Sequence, residues 1–360
     1  MNPPSVPEAL PPRPAEELLV RQLAESVDDR PIRQVLATSL GRAQAAIAAA
    51  ERFAEARISC NFLDLYRAKA AATNHPRVAI TCQSDFPDAA TPPGYDLAIL
   101  PCSAQGDAEL TRESLQAAYM KLADGGQLWT STDNPHDRWL RAELEKLFRR
   151  IRTRTTPSGV VYVGTRTGPL KKPKDHSCWF AFRDGERLFK AHSRPGVFSH
   201  RSIDTGARCL LETMKIEPGM RVLDIGCGAG TVGFAAAARA VNVQVEALDS
   251  NPRAVDCTRL GAEANGLTNL RVRLEADVQV EHPGEYDVVL ANPPYYSHQR
   301  IATLFVEGAV RALRPQGQLL VVTKEPFWYD EFLPRWFERI EILNVRSYFV
   351  VRAARRKEPL

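Results

Sequence analysis

The sequence lacks an apolar run long enough to span a membrane, and it lacks a Cys-x-x-Cys pair. Its seven cysteines are odd in number, so they predict neither a disulfide framework nor a zinc site. Residues 1–15 are rich in proline and have no apolar core, which predicts a disordered tail and argues against a signal peptide. These absences indicate a cytoplasmic protein that has no metal site and keeps reduced thiols in its core.

The composition is that of a globular protein with a mild basic excess. Hydrophobic residues make up 44% and charged residues 25% of the 360 residues, which provides enough apolar material for the cores of two domains. The net charge of +4 permits binding to nucleic acid without requiring it.

The chain is organised around a glycine-rich turn in its second half. Residues 221–225 have the apolar pattern of a buried strand, and a helix is predicted from about Thr231. Between them lie Gly226, Gly228 and Gly230, which let the backbone turn sharply and approach a ligand closely because they have no side chain. A glycine pattern by itself is weak evidence, so the residues downstream decide its interpretation.

Polar residues follow three further strand-like runs. These runs are 243–248, 270–274 and 286–290. The first leads to Asp249, about 20 residues past the glycines, where an acidic side chain suits the diol of a nucleoside. The second leads to Asp277, and the third opens into an Asn-Pro-Pro-Tyr run that begins at Asn292. Polar residues in this order at strand ends indicate a site for a nucleoside-containing cofactor.

In this order, the motifs resemble a class I S-adenosylmethionine-dependent methyltransferase that methylates an amino nitrogen. The residues that carry the resemblance are Asp224, Gly226, Gly228, Gly230, Asp249, Asp277 and the run Asn292-Pro293-Pro294-Tyr295. Upstream, Phe198-Ser199 with Asp204 and Gly206 adds a resemblance to the tandem-domain ribosomal RNA guanine-N2 methyltransferases. The resemblance implies an α/β fold with two tandem Rossmann-like, doubly wound domains.

The same resemblance implies S-adenosylmethionine as the cofactor. The expected cofactor-binding residues are Asp224, Gly226, Cys227, Gly228, Gly230, Asp249, Ser250, Asp277, Val278 and Asn292. Asp224 is expected to accept from the cofactor's ammonium, and Asp249 to bind both ribose hydroxyls with its two oxygens. Asp277, with the Val278 amide, is expected to bind the adenine edge, while the backbone of 226–230 lines the amino-acid and ribose parts.

The expected catalytic residues are Asn292, Pro293 and Tyr295. An exocyclic amino group on a base is a poor nucleophile, because its lone pair is delocalised into the ring. The Asn292 oxygen and the Pro293 carbonyl would accept from its N–H groups and turn the lone pair toward the methyl group. Tyr295 offers a face on which a flipped base can stack. The expected substrate-binding residues are Phe198, Ser199, Pro294, Tyr295 and His298.

The first half alternates strands and helices, which predicts a second parallel sheet with helices on both faces. It lacks the chemistry, because only Gly41 follows its first strand and Pro101-Cys102-Ser103 stands in place of Asn-Pro-Pro-Tyr. The predicted divisions are a degenerate domain at 16–170, a basic linker at 171–193 and a catalytic domain at 194–360. The resemblance implies that the N-terminal domain is non-catalytic and helps to hold RNA; a purely stabilising domain is the alternative.

Residues 146–174 are dense in arginine and lysine, with few acids, so they suit either phosphate contacts or a solvated linker between the halves. Trp179 and Phe180 follow, and packing in the core of a strand is favoured over stacking on a base. Asp204 also has the position of an N-cap for a helix that starts near Thr205.

The motif predicts an amino nitrogen as the methyl acceptor without identifying it. Guanine N2 of ribosomal RNA, naked or in a ribosomal particle, is favoured by the tandem layout, the Phe-Ser segment and the basic linker. The alternatives are an adenine-N6 nucleic acid methyltransferase, a glutamine methyltransferase acting on a translation factor, and a non-enzymatic RNA-binding pseudoenzyme. Residues 296–299 depart from the family's pattern, since no glycine follows His298. The sequence predicts no oligomeric state.

Overall fold

The computed structural model describes residues 12–26, 30–72, 75–294 and 299–356, without the side chains of the last two. The chain divides into two compact units, Met1–His176 and Ser177–Leu360. Both units are α/β, as the sequence predicts, and the predicted tandem fold is confirmed.

The N-terminal unit is a mixed sheet with helices packed on it. Its elements are α1 (Pro14–Glu25), β1 (Gln34–Ala37), α2 (Gln44–Arg52), β2 (Arg57–Phe62), α3 (Leu65–Ala70), β3 (Val78–Cys82), β4 (Tyr95–Cys102), α4 (Ala108–Lys121), β5 (Leu122–Thr132), α5 (Trp139–Glu145), β6 (Ile151–Thr156) and β7 (Gly159–Thr165). In the described residues, seven strands form one sheet in the order β3-β2-β1-β4-β5-β7-β6. The strands β1 to β5 are parallel, whereas β7 runs antiparallel to β5 and β6.

Most of the basic run at 146–174 is not an extended linker between two domains. Its residues follow the end of α5 and form the hairpin of β6 and β7, which completes the N-terminal sheet. Arg152 and Arg154 lie exposed on β6, the last strand in the sheet order. Charged side chains on an edge strand discourage pairing with another chain, so this part of the basic run has a structural explanation.

In the N-terminal unit, a carboxylate fills the turn that follows β1. Glu16 on α1 is fully buried, and its oxygens accept from the Ser39 hydroxyl at 2.8 Å and from the amides of Leu40 and Gly41 at 3.0 Å. The Ala45 amide in the first turn of α2 also donates to it, at 3.2 Å. Burial raises the pKa of Glu16, and this effect outweighs the hydrogen bonds, which lower the pKa. The turn that would face a cofactor in an active copy is therefore occupied by the chain itself.

The C-terminal unit repeats the same plan. Its elements are β8 (Cys178–Asp184), β9 (Arg187–Ser193), α6 (Thr205–Thr213), β10 (Arg221–Ile225), α7 (Thr231–Ala238), β11 (Gln244–Asp249), α8 (Pro252–Ala264), β12 (Leu270–Leu274), β13 (Tyr286–Ala291), α9 (Arg300–Ala312), β14 (Leu313–Thr323), α10 (Pro326–Phe332), a 3-10 helix (Leu333–Arg335), β15 (Phe337–Val345) and β16 (Tyr348–Arg356). Its main sheet, counted over the residues described, has seven strands in the order β12-β11-β10-β13-β14-β16-β15. The strand order reverses between β10 and β13, and ligands of open α/β sheets bind in the crevice at such a point.

Both faces of this sheet are buried. On β10, Val222 packs into one apolar cluster and Leu223 into another, and neither side chain is exposed. Parallel strands covered on both faces have nearly continuous apolar sequences, which is why residues 221–225 and 286–290 could be recognised as strands. β16 runs antiparallel to β14 and forms an antiparallel hairpin with β15, which ends the sheet on that side.

Residues 178–193, which the sequence assigns to the linker, form the antiparallel hairpin of β8 and β9 in the C-terminal unit. Phe182 and Phe189 stack at 5.2 Å and are buried in the same apolar cluster as Val222. Core packing is confirmed for Phe180, which packs against this cluster, and is wrong for Trp179, which is 53% exposed. The alternation of a strand sends these two neighbours to opposite faces.

No helix among the described residues is long and apolar enough to cross a membrane. Over the same ranges, no cluster of three or more histidine, cysteine or carboxylate side chains is placed to hold a metal ion.

Candidate functional site

The polar residues singled out in the sequence meet at one edge of the C-terminal sheet. Asp224 lies near the end of β10, Asp249 is the last residue of β11, and Asn292 follows β13 directly. Asp277 lies three residues beyond β12. Because these four strands are parallel neighbours, their carboxyl ends share one edge, and the structure brings the four residues together there.

The turn after β10 depends on glycine at three positions. Gly226, Gly228 and Gly230 all have positive φ, at 76°, 55° and 82°. A Cβ on Gly230 would lie 2.5 Å from Phe234, so this glycine permits close packing of α7. At Gly228 the nearest atom to an added Cβ is the Phe198 carbonyl oxygen at 3.9 Å, so this part of the turn borders open space.

The amides of the turn bond within the protein, which differs from the picture of a phosphate-binding loop. Gly226 and Cys227 donate to the Leu248 carbonyl at 2.8 and 3.0 Å, and Gly230 donates to the Cys227 carbonyl at 2.8 Å. Gly228 donates to Asp249 Oδ2 at 2.8 Å. The turn thus offers a ligand a close approach to the backbone rather than a row of donors. The Cys227 side chain is buried 3.5 Å from the hydroxyl of Thr258 and burial raises the pKa of its thiol.

Asp224 is a buried carboxylate beneath the turn. Its Oδ2 accepts from the Gly233 amide in α7 at 2.9 Å. Burial raises the pKa of Asp224 to about 7. The nearby Asp249 charge also raises this pKa, whereas the hydrogen bond from Gly233 lowers it. A buried carboxylate with a pKa near neutrality is stabilised as an anion by a nearby cation, so this residue suits an ammonium ligand.

Asp249 holds the turn and α8 in place. Its Oδ2 accepts from Gly228, and its Oδ1 accepts from the Asn251 amide at 2.8 Å. An ionised carboxylate has about four lone-pair positions, so it can accept more hydrogen bonds than these two. Ser250 follows at the start of the same loop and is half-buried.

The Asp277–Val278 loop is a strained turn locked by packing. Val278 is buried with a φ of 54°, a conformation that a β-branched residue adopts at a cost of order 1–3 kcal/mol. A Cβ on Gly308 of α9 would lie 2.3 Å from Val278 Cγ1, so the glycine is what admits this side chain. The Asp277 amide donates to Glu275 Oε1 at 2.8 Å, and Arg311 donates to the Asp277 carbonyl at 3.1 Å.

Asn292 is oriented by a residue far away in the chain. Its Nδ2 donates to Asp204 Oδ2 at 2.8 Å, and the same oxygen accepts from the amides of Gly206 at 2.7 Å and Ala207 at 3.2 Å. Asp204 is therefore the N-cap of α6, as predicted, and also the partner of Asn292. A Cβ on Gly206 would lie 2.6 Å from Asn292 Oδ1, so glycine is required for this approach.

The segment before α6 forms the rim of the site. Phe198 is 57% exposed, and Ser199, with a φ of 56°, donates its hydroxyl to the Ser202 carbonyl at 2.7 Å. The Ser199 hydroxyl thus closes a local turn. Pro293 and Pro294 follow Asn292, whereas Tyr295 and His298 lie outside the described residues.

Two residues outside the predicted site join this rim to the segment that follows β11. Asn251 donates to the Gly196 carbonyl at 2.7 Å, and the buried Arg253 donates to the Pro195 carbonyl at 2.7 Å. Asn251 is also the N-cap of α8, with proline at the first helical position, and this Asn-Pro pair was the signal in the sequence.

The fold and these strand ends define a class I methyltransferase domain. Residues 189–353, within the C-terminal unit, match the family model described as "Methyltransferase small domain". The chain is 31% identical over 192 residues to "Ribosomal RNA small subunit methyltransferase C" of Vibrio parahaemolyticus, covering 51% of this chain and 55% of that protein. The Salmonella gallinarum protein of the same name is 31% identical over 179 residues, covering 49% and 51%.

The chain spans about half the length of these curated relatives. A solved structure extends the likeness to both units. It is a 16S rRNA N2 methyltransferase of T. thermophilus in complex with AdoMet and guanosine, with a TM-score of 0.77 at 20% identity, covering 96% of this chain and 92% of that one. The protein therefore has the fold of the tandem-domain ribosomal RNA guanine-N2 methyltransferases, which it resembles.

Proposed function

We propose that this protein transfers a methyl group from S-adenosylmethionine to guanine N2 of small-subunit ribosomal RNA. The observation that carries the proposal is the hydrogen bond from Asn292 Nδ2 to Asp204. An ionised carboxylate only accepts, so it must face the NH₂ end of the amide. The other end, Oδ1, is then the acceptor that Asn292 can present to a substrate amino group.

The residues at the strand ends fit S-adenosylmethionine. Asp224 suits the ammonium, Asp249 the ribose diol and the Asp277–Val278 loop the adenine, while Gly228 leaves room beside the turn. Gly226, Cys227, Gly230 and Ser250 complete the proposed cofactor site. When bound, the cofactor supplies a methyl group on a positively charged sulfur, which is the electrophile.

Asn292 would act by accepting from the amino group, together with the Pro293 carbonyl. These acceptors orient the nitrogen and stabilise the positive charge that grows on it as the new bond forms. Most of the rate then comes from alignment of the nitrogen with the methyl group. Phe198, Ser199 and Pro294 would border the base, and Tyr295 and His298 are proposed to contact it.

Ribosomal RNA is favoured as the substrate because the curated relatives that match about half of the chain carry that activity in their names. We further propose that the N-terminal unit is a non-catalytic domain that helps to hold RNA in the cytoplasm. The burial of Glu16 in its cofactor-side turn supports the non-catalytic assignment. A glutamine methyltransferase is less well supported, since its family has a small helical bundle where this chain has a sheet.

The test is methyl transfer from labelled S-adenosylmethionine to small-subunit RNA, large-subunit RNA and total protein in separate reactions. N2-methylguanosine in small-subunit RNA, identified by mass, is the expected product. Asn292→Ala should abolish transfer while RNA binding persists, and Asn344→Ala, at an exposed asparagine on β15, is the matched control. Label in protein alone, or in N6-methyladenosine, would contradict the guanine assignment, and RNA binding without any transfer would indicate a pseudoenzyme.

A further inference from the structure

The hairpin of β8 and β9 has an inner face in the core and an outer face that the function described so far does not use. Phe182, Phe189 and Ala191 fill the inner face. Trp179 pairs with His192, Ala181 with Lys190, and Arg183 with Leu188 across the ladder. Because side chains alternate along a strand, these three pairs form the outer face.

The outer face combines one exposed indole with positive charge. Among its six described residues, Arg183 and Lys190 are basic and exposed, and none is acidic. The hairpin's own Asp184 is turned toward Arg239, with which it forms two hydrogen bonds at 2.7 and 2.9 Å. The net charge of this face is therefore positive, and it complements a phosphate backbone.

Trp179 is held in place although it is more than half exposed. Its ring lies 4.9 Å from that of His192, the residue opposite on β9. The contact holds the indole beside His192, and Trp179 remains 53% exposed. An ordered, exposed aromatic ring beside basic residues is the arrangement that proteins use to stack single-stranded bases.

The open end of the hairpin is joined to the rim of the methyl-transfer site. Cys178 and Ser193 pair there, and both contact His200: Cys178 Sγ donates to its carbonyl at 3.1 Å, and Ser193 Oγ lies 3.1 Å from its Nδ1. His200 follows Phe198 and Ser199, the proposed substrate-side rim. Trp179, next to Cys178, is thus one residue from the junction between hairpin and site.

We propose that the outer face of this hairpin binds the substrate RNA next to the target nucleotide. The Trp179 indole stacks on an unpaired base, and Arg183 and Lys190 contact phosphates on the same strand. This inference rests on the proposed function, because it takes RNA to be the substrate. It assigns a binding role to a segment that lies before the glycine-rich turn and the Asn-Pro-Pro-Tyr run.

The experiment compares Trp179→Ala, Trp179→Tyr and the double variant Arg183→Gln/Lys190→Gln with the wild-type full chain. The probes are a fluorescein-labelled single-stranded RNA for the dissociation constant and a small-subunit ribosomal RNA transcript for KM and kcat. Trp179→Ala should raise the RNA dissociation constant about 5- to 150-fold, the effect of losing one base stack, and Trp179→Tyr should restore most of the affinity. The double variant should lower the slope of log affinity against log salt by about 1.4, the value for two phosphate contacts on a single strand.

Three measurements separate binding from folding and from the cofactor site. S-adenosylmethionine affinity, the melting temperature and kcat at saturating RNA should stay near wild-type values in the Trp179 and Arg183/Lys190 variants. Ile342→Ser is the control, since Ile342 is a 38% exposed apolar residue on β15, the last strand in the sheet order. It should leave the RNA dissociation constant unchanged.

If the wild-type protein methylates RNA and neither Trp179→Ala nor the double variant changes KM, this inference alone is overturned. A KM unchanged on naked RNA but raised on a ribosomal particle would assign the face to a ribosomal protein and overturn the RNA assignment. Wild-type protein that methylates no RNA would overturn the proposed function, and this inference with it.

Discussion

Asp204 and Asn292 lie 88 residues apart in the chain, yet one carboxylate oxygen of Asp204 accepts from the side-chain amide of Asn292 at 2.8 Å. That oxygen also caps α6 through the amides of Gly206 and Ala207. The orientation of the proposed catalytic amide is therefore coupled to the first turn of a helix from another part of the unit. This coupling explains why an Asp-x-Gly segment accompanies an Asn-Pro-Pro motif.

Asp204→Asn separates the cap from the orientation of Asn292. Asparagine caps helices about as well as aspartate, so the melting temperature should change little. It no longer requires the NH₂ end of Asn292 to face it, so kcat should fall about tenfold to a hundredfold through misalignment. S-adenosylmethionine affinity should stay constant. Asp107→Asn, at the N-cap of α4, is the control, and equal losses of kcat in both variants would contradict the assigned role.

Gly206→Ala should reduce kcat without unfolding the protein. Alanine favours a helix over glycine, but its Cβ would lie 2.6 Å from Asn292 Oδ1 and 2.8 Å from Asp204 Oδ2. Relief of this contact must move Asn292, so the loss should be about a hundredfold, with RNA affinity maintained. Steady-state kinetics beside a thermal melt measures both effects. Wild-type kcat in a folded variant would show that Asn292 does not need its observed position.

The affinity for S-adenosylmethionine should rise with pH because of Asp224. Burial raises the pKa of this carboxyl from 3.8 to about 7, so the protonated form predominates below that value and cannot pair with an ammonium. The dissociation constant should fall by up to about tenfold per pH unit as pH rises toward about 7. It should level off above about pH 7, where Asp224 is ionised, and rise again above about pH 8, where an α-amino group loses its proton. Calorimetry at several pH values measures this change.

Asp224 also makes folding stability depend on pH with a known sign. Its pKa is raised in the folded state, so its contribution to stability is fully present below about pH 3.8 and is lost as pH rises through about 7. Asp224→Asn should remove both this loss and the pH dependence of cofactor binding. A variant that retains the wild-type pH profile of affinity would assign the titration to another group.

Glu16→Ala should destabilise the N-terminal unit specifically. The substitution leaves the Ser39 hydroxyl and the amides of Leu40, Gly41 and Ala45 without their buried acceptor, at about 1–3 kcal/mol for each group that water cannot reach. Denaturant unfolding followed by hydrogen exchange should locate the loss in residues of that unit. Glu17→Gln, on the same helix, is the control, since Glu17 forms an ion pair with Arg21 on the exposed side. Equal destabilisation by both variants would contradict a role for the buried carboxylate.

A buried network beside the Asp277–Val278 loop should affect cofactor affinity. Glu246 on β11 is buried and accepts from Arg273 Nε at 2.7 Å and from the Tyr286 hydroxyl. Arg273 also donates to the Gln279 carbonyl at 2.6 Å, which ties down the end of the Asp277–Val278 loop. Arg273→Lys keeps the charge beside Glu246 but cannot make all these bonds. The dissociation constant for S-adenosylmethionine should rise about tenfold, the effect of one charged hydrogen bond.

The matched control for the network is Arg271→Lys. Arg271 lies two residues away on β12, and it forms an exposed ion pair with Glu281 at 2.8 Å. Exposed pairs contribute roughly 0–1 kcal/mol, so this variant should bind the cofactor like the wild type. If both variants weakened binding equally, the effect would not be specific to the hydrogen bond between Arg273 and the loop.

Much of the fold was predictable because its signals are local. The central parallel strands are buried on both faces, so residues 221–225 and 286–290 could be recognised as strands from their apolar runs alone. The same holds for the cap at Asp204. In contrast, β8 and β9 follow a basic segment and carry charged residues on both sides of their turn, and this mixture resembled a linker.

The sequence by itself determined the two α/β units, the glycine turn and the order of polar residues at the strand ends. These features depend on periodicity and on short motifs, which are read within a few residues. The tertiary structure decided the rest: the filling of the N-terminal turn by Glu16, the exposed position of Trp179, and the pairing of Asp204 with Asn292. Each of these depends on which side chains meet after distant segments pack, and no local pattern specifies that meeting.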